Sequence, residues 1–460
     1  MAVTGPHTTD LPALPAHPDP ETDQVLDSGL LHELSYAFGG PFHFLLPHRF
    51  DANLAAFRTA LRDAGVAGRV YYAKKANKAA VWLERCAAND AGVDVASAPE
   101  LRQALGHGVR GEHLVVTGPA KSEELLRLAI RHGCLIAVDA LDELDLLRAL
   151  AGDGAGRPAR LLLRRLPPAQ PHSRFGMPDA ELTAALERCV RAGDAVHMEG
   201  FSFHLAGYAT RPRADLAGEL LDWCLRARAL GLPADRISIG GGFAVDYTSA
   251  GHWHTFLAGQ RPEHYHAGKT FRNADFYPYH SPVAGAGALR EILATVPANG
   301  RTTLAARLRE TGTRLLTEPG RALLDTAGAS VFRVQGVKDR DGYRIVTVDG
   351  TSLSLSEQWF NSEYLPDPQL VTPAGRAHGD GVHPACVGGA SCLDSDLLTW
   401  RKIRFPARPR VGDLLVYPNT AGYQMDSNES PFHDLALPPK VVLDRLGARP
   451  RWRLDRRPAL

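Results

Sequence analysis

Apolar positions along this chain follow two rhythms. From about Asp51 to Leu163, helical periods alternate with short, wholly apolar runs. Asn53-Leu54-Ala55-Ala56-Phe57 leads into Val70-Tyr71-Tyr72, and Leu101-Arg102-Gln103-Ala104-Leu105 into Leu114-Val115-Val116. Leu125–Ile130 leads in the same way into Leu135–Val138, and Leu146–Leu150 into Leu161-Leu162-Leu163. Such alternation predicts parallel strands joined by right-handed helical crossovers. A (β/α) barrel is the natural closure, with its chemistry at the C-terminal ends of the strands. Periodicity by itself also allows a doubly wound open sheet.

The second rhythm begins after about Leu323, where short alternating strands take over: Val331–Val337, Tyr343–Val348 and Asp413–Tyr417. These predict a β domain. Before the barrel, Met1 to about Thr22 is rich in Pro, His, Thr and Asp without a period, which predicts a disordered leader. A helical stretch from Leu26 then leads to the bulky run Pro41–Leu46, read as a strand. The expected organisation is a leader over 1–24, a segment over 25–49 that joins the β domain, a barrel over 50–322, a β domain over 323–445 and a tail over 446–460.

Composition narrows the partners. Lys+Arg at 52 nearly cancels Asp+Glu at 51 in a chain of 460 residues, so no net field favours nucleic acid or an anionic membrane. Apolar residues form no uninterrupted span of about 20, and the N-terminus has no basic start followed by an apolar stretch. A small-molecule partner and a cytoplasmic location are expected. The six cysteines lie scattered with no C-x-x-C pair, which fits reduced thiols rather than a disulfide framework or zinc ribbon.

Several strand ends carry chemistry. Tyr72-Ala73-Lys74-Lys75-Ala76-Asn77 puts lysines after an apolar strand, where a partly desolvated amine has a lowered pKa and can form a Schiff base. In Gly92-Val93-Asp94-Val95-Ala96-Ser97-Ala98-Pro99-Glu100, Asp94 sits inside an apolar strand and calls for a partner, for which Lys75 is suited. Ser97 and Glu100 read equally as a capping box and as site residues. Arg164 ends Leu161-Leu162-Leu163, with Ser173-Arg174-Phe175-Gly176 beyond it. His204 in Gly200-Phe201-Ser202-Phe203-His204-Leu205-Ala206-Gly207 could stack on an aromatic cofactor. Gly240-Gly241-Gly242-Phe243 would let backbone N–H groups approach a phosphate, and Glu318-Pro319-Gly320-Arg321 offers a carboxylate beside a forked cation. His252, His254, His264, His266 and His280 could present imidazoles to a metal, but no acid or Cys accompanies them at helpful spacing. A substrate-facing or subunit-facing loop is favoured there.

Taken in order, from about Tyr71 to Tyr423, these elements resemble the fold type III pyridoxal phosphate (PLP) decarboxylases that act on ornithine, arginine and diaminopimelate. Their counterparts are Y-A-V-K-A-N, G-x-D-x-x-S-x-x-E-L, L-R-I…S-K-F-G, H-x-G-S, G-G-G-F and E-P-G-R. Val387-Gly388-Gly389-Ala390-Ser391-Cys392-Leu393-Asp394-Ser395-Asp396 looks like G-P-x-C-[ED]-x-x-D, and Ala421-Gly422-Tyr423 like G-A-Y with two residues exchanged. The resemblance implies a (β/α)8 TIM-type barrel followed by a β-rich barrel or sandwich domain, in an alanine racemase-like arrangement. It makes Lys75 the cofactor lysine, Glu318 the partner of the pyridine nitrogen, and His204 the stacking ring. Asp94, Arg164, Gly240, Gly241, Gly242, Gly320, Arg321 and Tyr423 would bind cofactor. Cys392 would enter the site of a second subunit and return a proton to Cα, implying a homodimer with shared sites. The family needs no metal.

Departures from the family bear on the substrate. Gly207 stands where a Ser usually supports the phosphate. Leu393 replaces the acid that contacts the distal amine, and Glu357 falls near the place of the arginine for a distal carboxylate. Diaminopimelate and ornithine would therefore bind poorly. The expected activity is decarboxylation of another amino acid or amino-acid-derived biosynthetic intermediate, with Asp349, Glu357, Leu393, Asp394 and Asp396 as substrate-facing candidates. A racemase or epimerase using Lys75 and Cys392 on opposite faces, and a non-catalytic PLP-binding homologue, are the alternatives.

Overall fold

The computed structural model describes residues 11–152, 157–355, 362–373, 381–445 and 450–455. Contacts divide these residues into two compact units. One unit, spanning Phe50–Ala244 and Val283–Leu323, is a closed barrel of eight parallel strands. The other holds the chain up to Arg49, Val245–Pro282 and Leu324–Asp455. The segment 245–282, expected within the barrel, thus belongs with the sheet.

The first strand, β1 (Phe42–Leu45), lies in the sheet unit; the barrel then runs β2 (Gly68–Ala73), β3 (Gly92–Val95), β4 (Leu114–Val116), β5 (Leu135–Val138), β6 (Ala159–Arg164), β7 (Val196–Ser202), β8 (Arg236–Ser238) and β9 (Arg314–Thr317). β2 pairs with β9 to close the ring, which decides against the open sheet. Its strands are apolar because the barrel interior and the surrounding helices bury both faces. Tyr71, Val115, Leu135, Leu162 and Leu316 pack together as one buried cluster. Helices intervene between successive strands, among them Ala98–Gly106, Glu123–His132, Asp179–Ala192 and Thr210–Ala229. Glu123–His132 illustrates the local logic: Ser122 caps it, Leu125, Leu126, Ala129 and Ile130 are its buried positions, and Gly133 ends it in the left-handed region.

The sheet unit continues with β10 (Gly328–Arg340), β11 (Tyr343–Val348), β12 (Gln369–Val371), β13 (His383–Gly388), β14 (Leu397–Phe405), β15 (Leu414–Tyr417), β16 (Lys440–Arg445) and β17 (Arg451–Leu454). Its main order is β14-β13-β11-β10-β1-β16-β17, with β15 bridging β10 and β12. β1 is therefore central: it pairs antiparallel with β10 and parallel with β16. Helices Pro20–Asp27 and Leu30–Phe38 bury Val25, Leu30, Leu31 and Leu34 against Phe42, Phe44, Val331 and Val416.

Two expectations at the ends give way. Residues 11–24 are ordered rather than a disordered leader: Leu11 and Leu14 are buried. Arg401 donates to the Pro12 carbonyl at 2.9 Å, and the Leu14 N–H donates to Asp367 at 2.8 Å. The compositional reading missed this because the anchoring rests on the short run Leu11–Leu14, which is too brief to show a period. Within the expected tail, Arg451–Leu454 is a strand on β16.

Candidate active site

The barrel brings its chemistry to one end, as parallel strands of this kind must. Lys75 follows β2, Asp94 lies in β3, Arg164 closes β6, His204 follows β7 and Glu318 follows β9. All five line one cavity of about 300 Å³. Lys75 is exposed toward solvent, whereas Asp94 is buried. Burial raises the Asp94 carboxyl above its ordinary range, while the Lys75 charge and a 2.7 Å hydrogen bond from Thr117 pull it down. Asp94 and Lys75 thus act on each other, as the strand position of Asp94 requires. Glu318 is pushed up to about 7 by burial and then by Asp94; Ser238 opposes this by donating to it at 2.6 Å. Burial drives His204 down to about 3, helped by the charges of Lys75, Arg164 and Arg213, so its ring is neutral.

The glycine run connects these parts. Gly240 accepts the Glu318 N–H at 2.9 Å, and its own N–H donates to Ser238 at 3.2 Å. Among the described residues the N–H groups of Gly241 and Gly242 have no acceptor. A Cβ on Gly242 would stand 1.8 Å from Arg213, in a backbone with φ of +79°. Only glycine fits there. Arg321 is buried in the turn Arg321–Leu323, next to Gly320 and outside the residues that line the cavity. Ser97 caps its helix by accepting from the Glu100 N–H, but Glu100 accepts from the Ala96 N–H rather than from that of Ser97, so the reciprocal capping box is not closed; Glu100 also faces the cavity.

Several supporting residues escaped the sequence reading. Asp139 takes Arg164 at 3.0 Å and the Gly176 N–H at 3.1 Å, so the loop beyond β6 and the arginine are aimed by one carboxylate. Arg164 and Arg174 both lie against the Phe175 ring, at 4.4 and 4.7 Å from its centre. Arg213 is buried and donates to the carbonyls of Leu205, Gly207, Ala209 and Gly241, tying the loop after β7 to the glycine run. This accounts for the Gly207 departure: its φ is +77° and its carbonyl serves Arg213. One signal was available, since Arg213 shares a helix face with the apolar Leu216, Ala217 and Leu220.

The remaining candidates belong to the sheet unit. Cys392 is the exposed one of the six free cysteines, and its N–H donates to His433 at 3.3 Å. Leu393 and Asp394 beside it are exposed. Asp396 is buried, accepting from the N–H groups of Ser352 and Ser391, and Asp349 accepts from that of Arg333. Both aspartates thereby organise backbone, a use that their sequence did not reveal. Tyr423 has φ of +79°, a strained setting for a residue with a side chain. Glu357 lies outside the described residues. The histidines of 248–289 spread over separate partners: His280 and His17 share Asp246, His266 meets Tyr343, and His252 meets Ser249. No group of three or more His, Cys, Asp or Glu is placed to hold a metal among the described residues.

A lysine, an aromatic ring, a buried carboxylate and unengaged N–H groups at a barrel mouth define a site for a phosphorylated aromatic aldehyde, and these residues fit pyridoxal phosphate. Comparison with known proteins agrees. The family described as pyridoxal-dependent decarboxylase, pyridoxal binding domain, matches residues 48–263. The chain is 39% identical over 427 residues to the uncharacterized protein y4yA of Sinorhizobium fredii, covering 92% of each. It is 28% identical to a diaminopimelate decarboxylase of Actinosynnema pretiosum, covering 89% of this chain and 85% of that one. Its fold matches diaminopimelate decarboxylase from M. jannaschii in complex with L-lysine, at a TM-score of 0.72 and 18% identity over 92% and 91% of the two chains. The chain belongs to the fold type III PLP-dependent decarboxylases, with pyridoxal phosphate as cofactor and carboxy-lyase chemistry as its class.

Proposed function

We propose that this enzyme decarboxylates an amino acid or an amino-acid-derived biosynthetic intermediate other than diaminopimelate or ornithine. The convergence of Lys75, Asp94, His204 and Glu318 on one cavity carries the decarboxylase reading. When bound, the cofactor ring accepts the electron pair released as the Cα–CO₂ bond breaks.

Each residue then has a physical task. Lys75 would hold the cofactor through its aldehyde, with the Asp94 carboxyl close enough to feel the charge of that amine. Glu318 would accept the N–H of the pyridine ring; the charges of Lys75 and Arg164 favour the carboxylate form that burial otherwise disfavours. His204, neutral, offers an uncharged face for stacking. The Gly241 and Gly242 N–H groups, with Arg321 and Tyr423, serve the phosphate. Arg164, aimed by Asp139, flanks the site with a fixed charge. Cys392, contributed by a second copy of the chain, delivers the proton to Cα. The enzyme is thus a homodimer with shared sites, and its six free thiols suit a cytoplasmic setting.

Leu393 supports the substrate reading, because an apolar side chain follows Cys392 where an acid would meet a distal amine. The test begins with the visible absorbance of the purified protein, followed by borohydride reduction and mapping of the labelled lysine. Label on Lys75 supports the site; label elsewhere removes it. A panel of free and conjugated amino acids is then scored for CO₂ and for solvent deuterium at Cα. Deuterium exchange without CO₂ would mark a racemase, and efficient turnover of diaminopimelate or ornithine would overturn the substrate assignment.

A further inference from the structure

The N-terminal end of the barrel strands holds a second cavity, of about 410 Å³. This lies in the range of roughly 300–1,000 Å³ common for small-molecule sites. Four strands carry an arginine at their first or second residue: Arg69 in β2, Arg160 in β6, Arg236 in β8 and Arg314 in β9, and all four line the cavity. Arg236 and Arg314 stand in register on neighbouring strands, an arrangement that like charges oppose.

The chain balances this ring unevenly. Buried Glu199 holds Arg160 at 2.5 Å and Arg236 at 2.7 Å, and Asp235 holds Arg236 at 2.7 Å. Arg69 and Arg314 reach their carboxylates, Asp90 and Asp235, only at 3.6 and 3.8 Å, too far for direct hydrogen bonds. Arg69 donates instead to the Asp90 carbonyl, and the Arg314 guanidinium donates no hydrogen bond among the described residues. Glu112 is the carboxylate among the residues that line the cavity. His113, also in the lining, is held below its ordinary range by burial and by Arg69.

Tyr71 points to a ligand. It is 3% exposed, its ring packed among Val115, Leu135, Leu162 and Leu316 inside the barrel. The ring fits because residue 92 is glycine: a Cβ there would lie 2.3 Å from it. Its hydroxyl has no hydrogen-bond partner among the described residues, and Tyr71 lines the cavity. The hydroxyl is not sealed away from solvent: it opens into the cavity, where an acceptor can reach it. Burial raises its pKa while Arg69, Arg160 and Arg236 pull against that rise, which puts the hydroxyl within their field and leaves it a donor. The cavity therefore offers the Arg314 guanidinium and the Tyr71 hydroxyl as donors without an acceptor, whereas Arg160 and Arg236 are already engaged by Glu199 and Asp235.

We propose that this cavity binds a phosphate group, free or carried by a small metabolite, as a second ligand site at the opposite ends of the strands from the cofactor. A phosphate presents several acceptor oxygens and up to two charges, matching forked guanidinium donors and one hydroxyl. The site requires no substrate and stands independently of the decarboxylation proposed above.

Calorimetric titration of the cofactor-loaded enzyme with inorganic phosphate, glycerol 3-phosphate and chloride at equal ionic strength tests it. Saturable uptake of one phosphate per chain is expected, with the cofactor's visible band unchanged. Tighter binding of inorganic phosphate would identify a free-ion site, and tighter binding of glycerol 3-phosphate an esterified ligand. Arg314→Gln should weaken binding about tenfold and Tyr71→Phe several-fold, with Arg314→Lys restoring part of it. Arg314 is well exposed, so its replacement leaves the fold intact, which near-ultraviolet circular dichroism would verify. Phosphate binding no stronger than chloride, loss of the cofactor band in step with uptake, or wild-type affinity in both Arg314→Gln and Tyr71→Phe would overturn the proposal.

Discussion

Burial and the Asp94 carboxylate push Glu318 up to about 7, which has a measurable consequence at the scale of one residue. A carboxyl whose folded pKa is raised binds its proton more tightly folded than unfolded. Stability therefore falls as pH climbs from the ordinary 4.5 toward 7 and stays lower above it. The cofactor-free Glu318→Gln variant should melt with the wild type near pH 4.5 and a few degrees above it at pH 8. An equal difference at both pH values would show that Glu318 ionises without hindrance. Two histidines run the other way: burial drives His204 and His43 down to about 3. Both should stay neutral by NMR through pH 5, and they withdraw stability as pH falls below about 6.5 because the unfolded chain protonates first. A His204 midpoint near 6.5 would remove the argument for a neutral stacking ring. These shifts were not legible in the sequence, since they depend on which groups the strands place around each side chain.

Among the elements, the loop after β7 and the glycine run after β8 are joined by one buried cation. Arg213 meets four carbonyls from within the helix Thr210–Ala229 and has no carboxylate among its hydrogen bonds. Burial without an opposite charge pushes it down to about 10. Arg213→Met should destabilise by on the order of 3 kcal/mol, because the carbonyls lose their donor. It should also weaken cofactor binding, measured by titration of the apoprotein. Unchanged cofactor affinity in a folded variant would separate Arg213 from cofactor binding. The N-terminal strap is the counterpart in the sheet unit. Leu14 is 1% exposed, so Leu14→Ala should cost about 2–5 kcal/mol in chemical denaturation, whereas a truly disordered leader would show no change. The first motif was readable through its glycines, but Arg213 belongs to no motif and its four carbonyl partners come from separate loops. The strap hid because its hydrogen-bond partners, Asp367 and Arg401, lie more than 350 residues away in the chain.

At the scale of the whole molecule, the proposed shared sites divide labour between copies of the chain. Lys75→Ala and Cys392→Ala should each be nearly inactive alone, the second by about 10²–10⁴-fold if Cys392 is the general acid. Mixed and allowed to exchange subunits, they should recover about a quarter of wild-type activity, because half the dimers are hybrids with one intact site of two. No recovery in a mixture shown to form hybrids would mean that each chain completes its own site. Among the described residues no helix is long and apolar enough to cross a membrane.

The sequence by itself determined the parallel β/α rhythm, the strand ends that bear Lys75, Asp94, His204 and Glu318, and the glycine run, because period and local motif are properties of neighbouring residues. Closure of the ring had to wait for the pairing of β2 with β9, two strands separated by some 240 residues. Only the tertiary structure decided that Asp139 aims Arg164, that Arg213 braces the glycine run, and that four arginines near strand starts line one cavity with Tyr71. Each of these depends on side chains from distant strands meeting in a low-dielectric interior, where an unmet charge or donor is expensive and the fold must supply its partner.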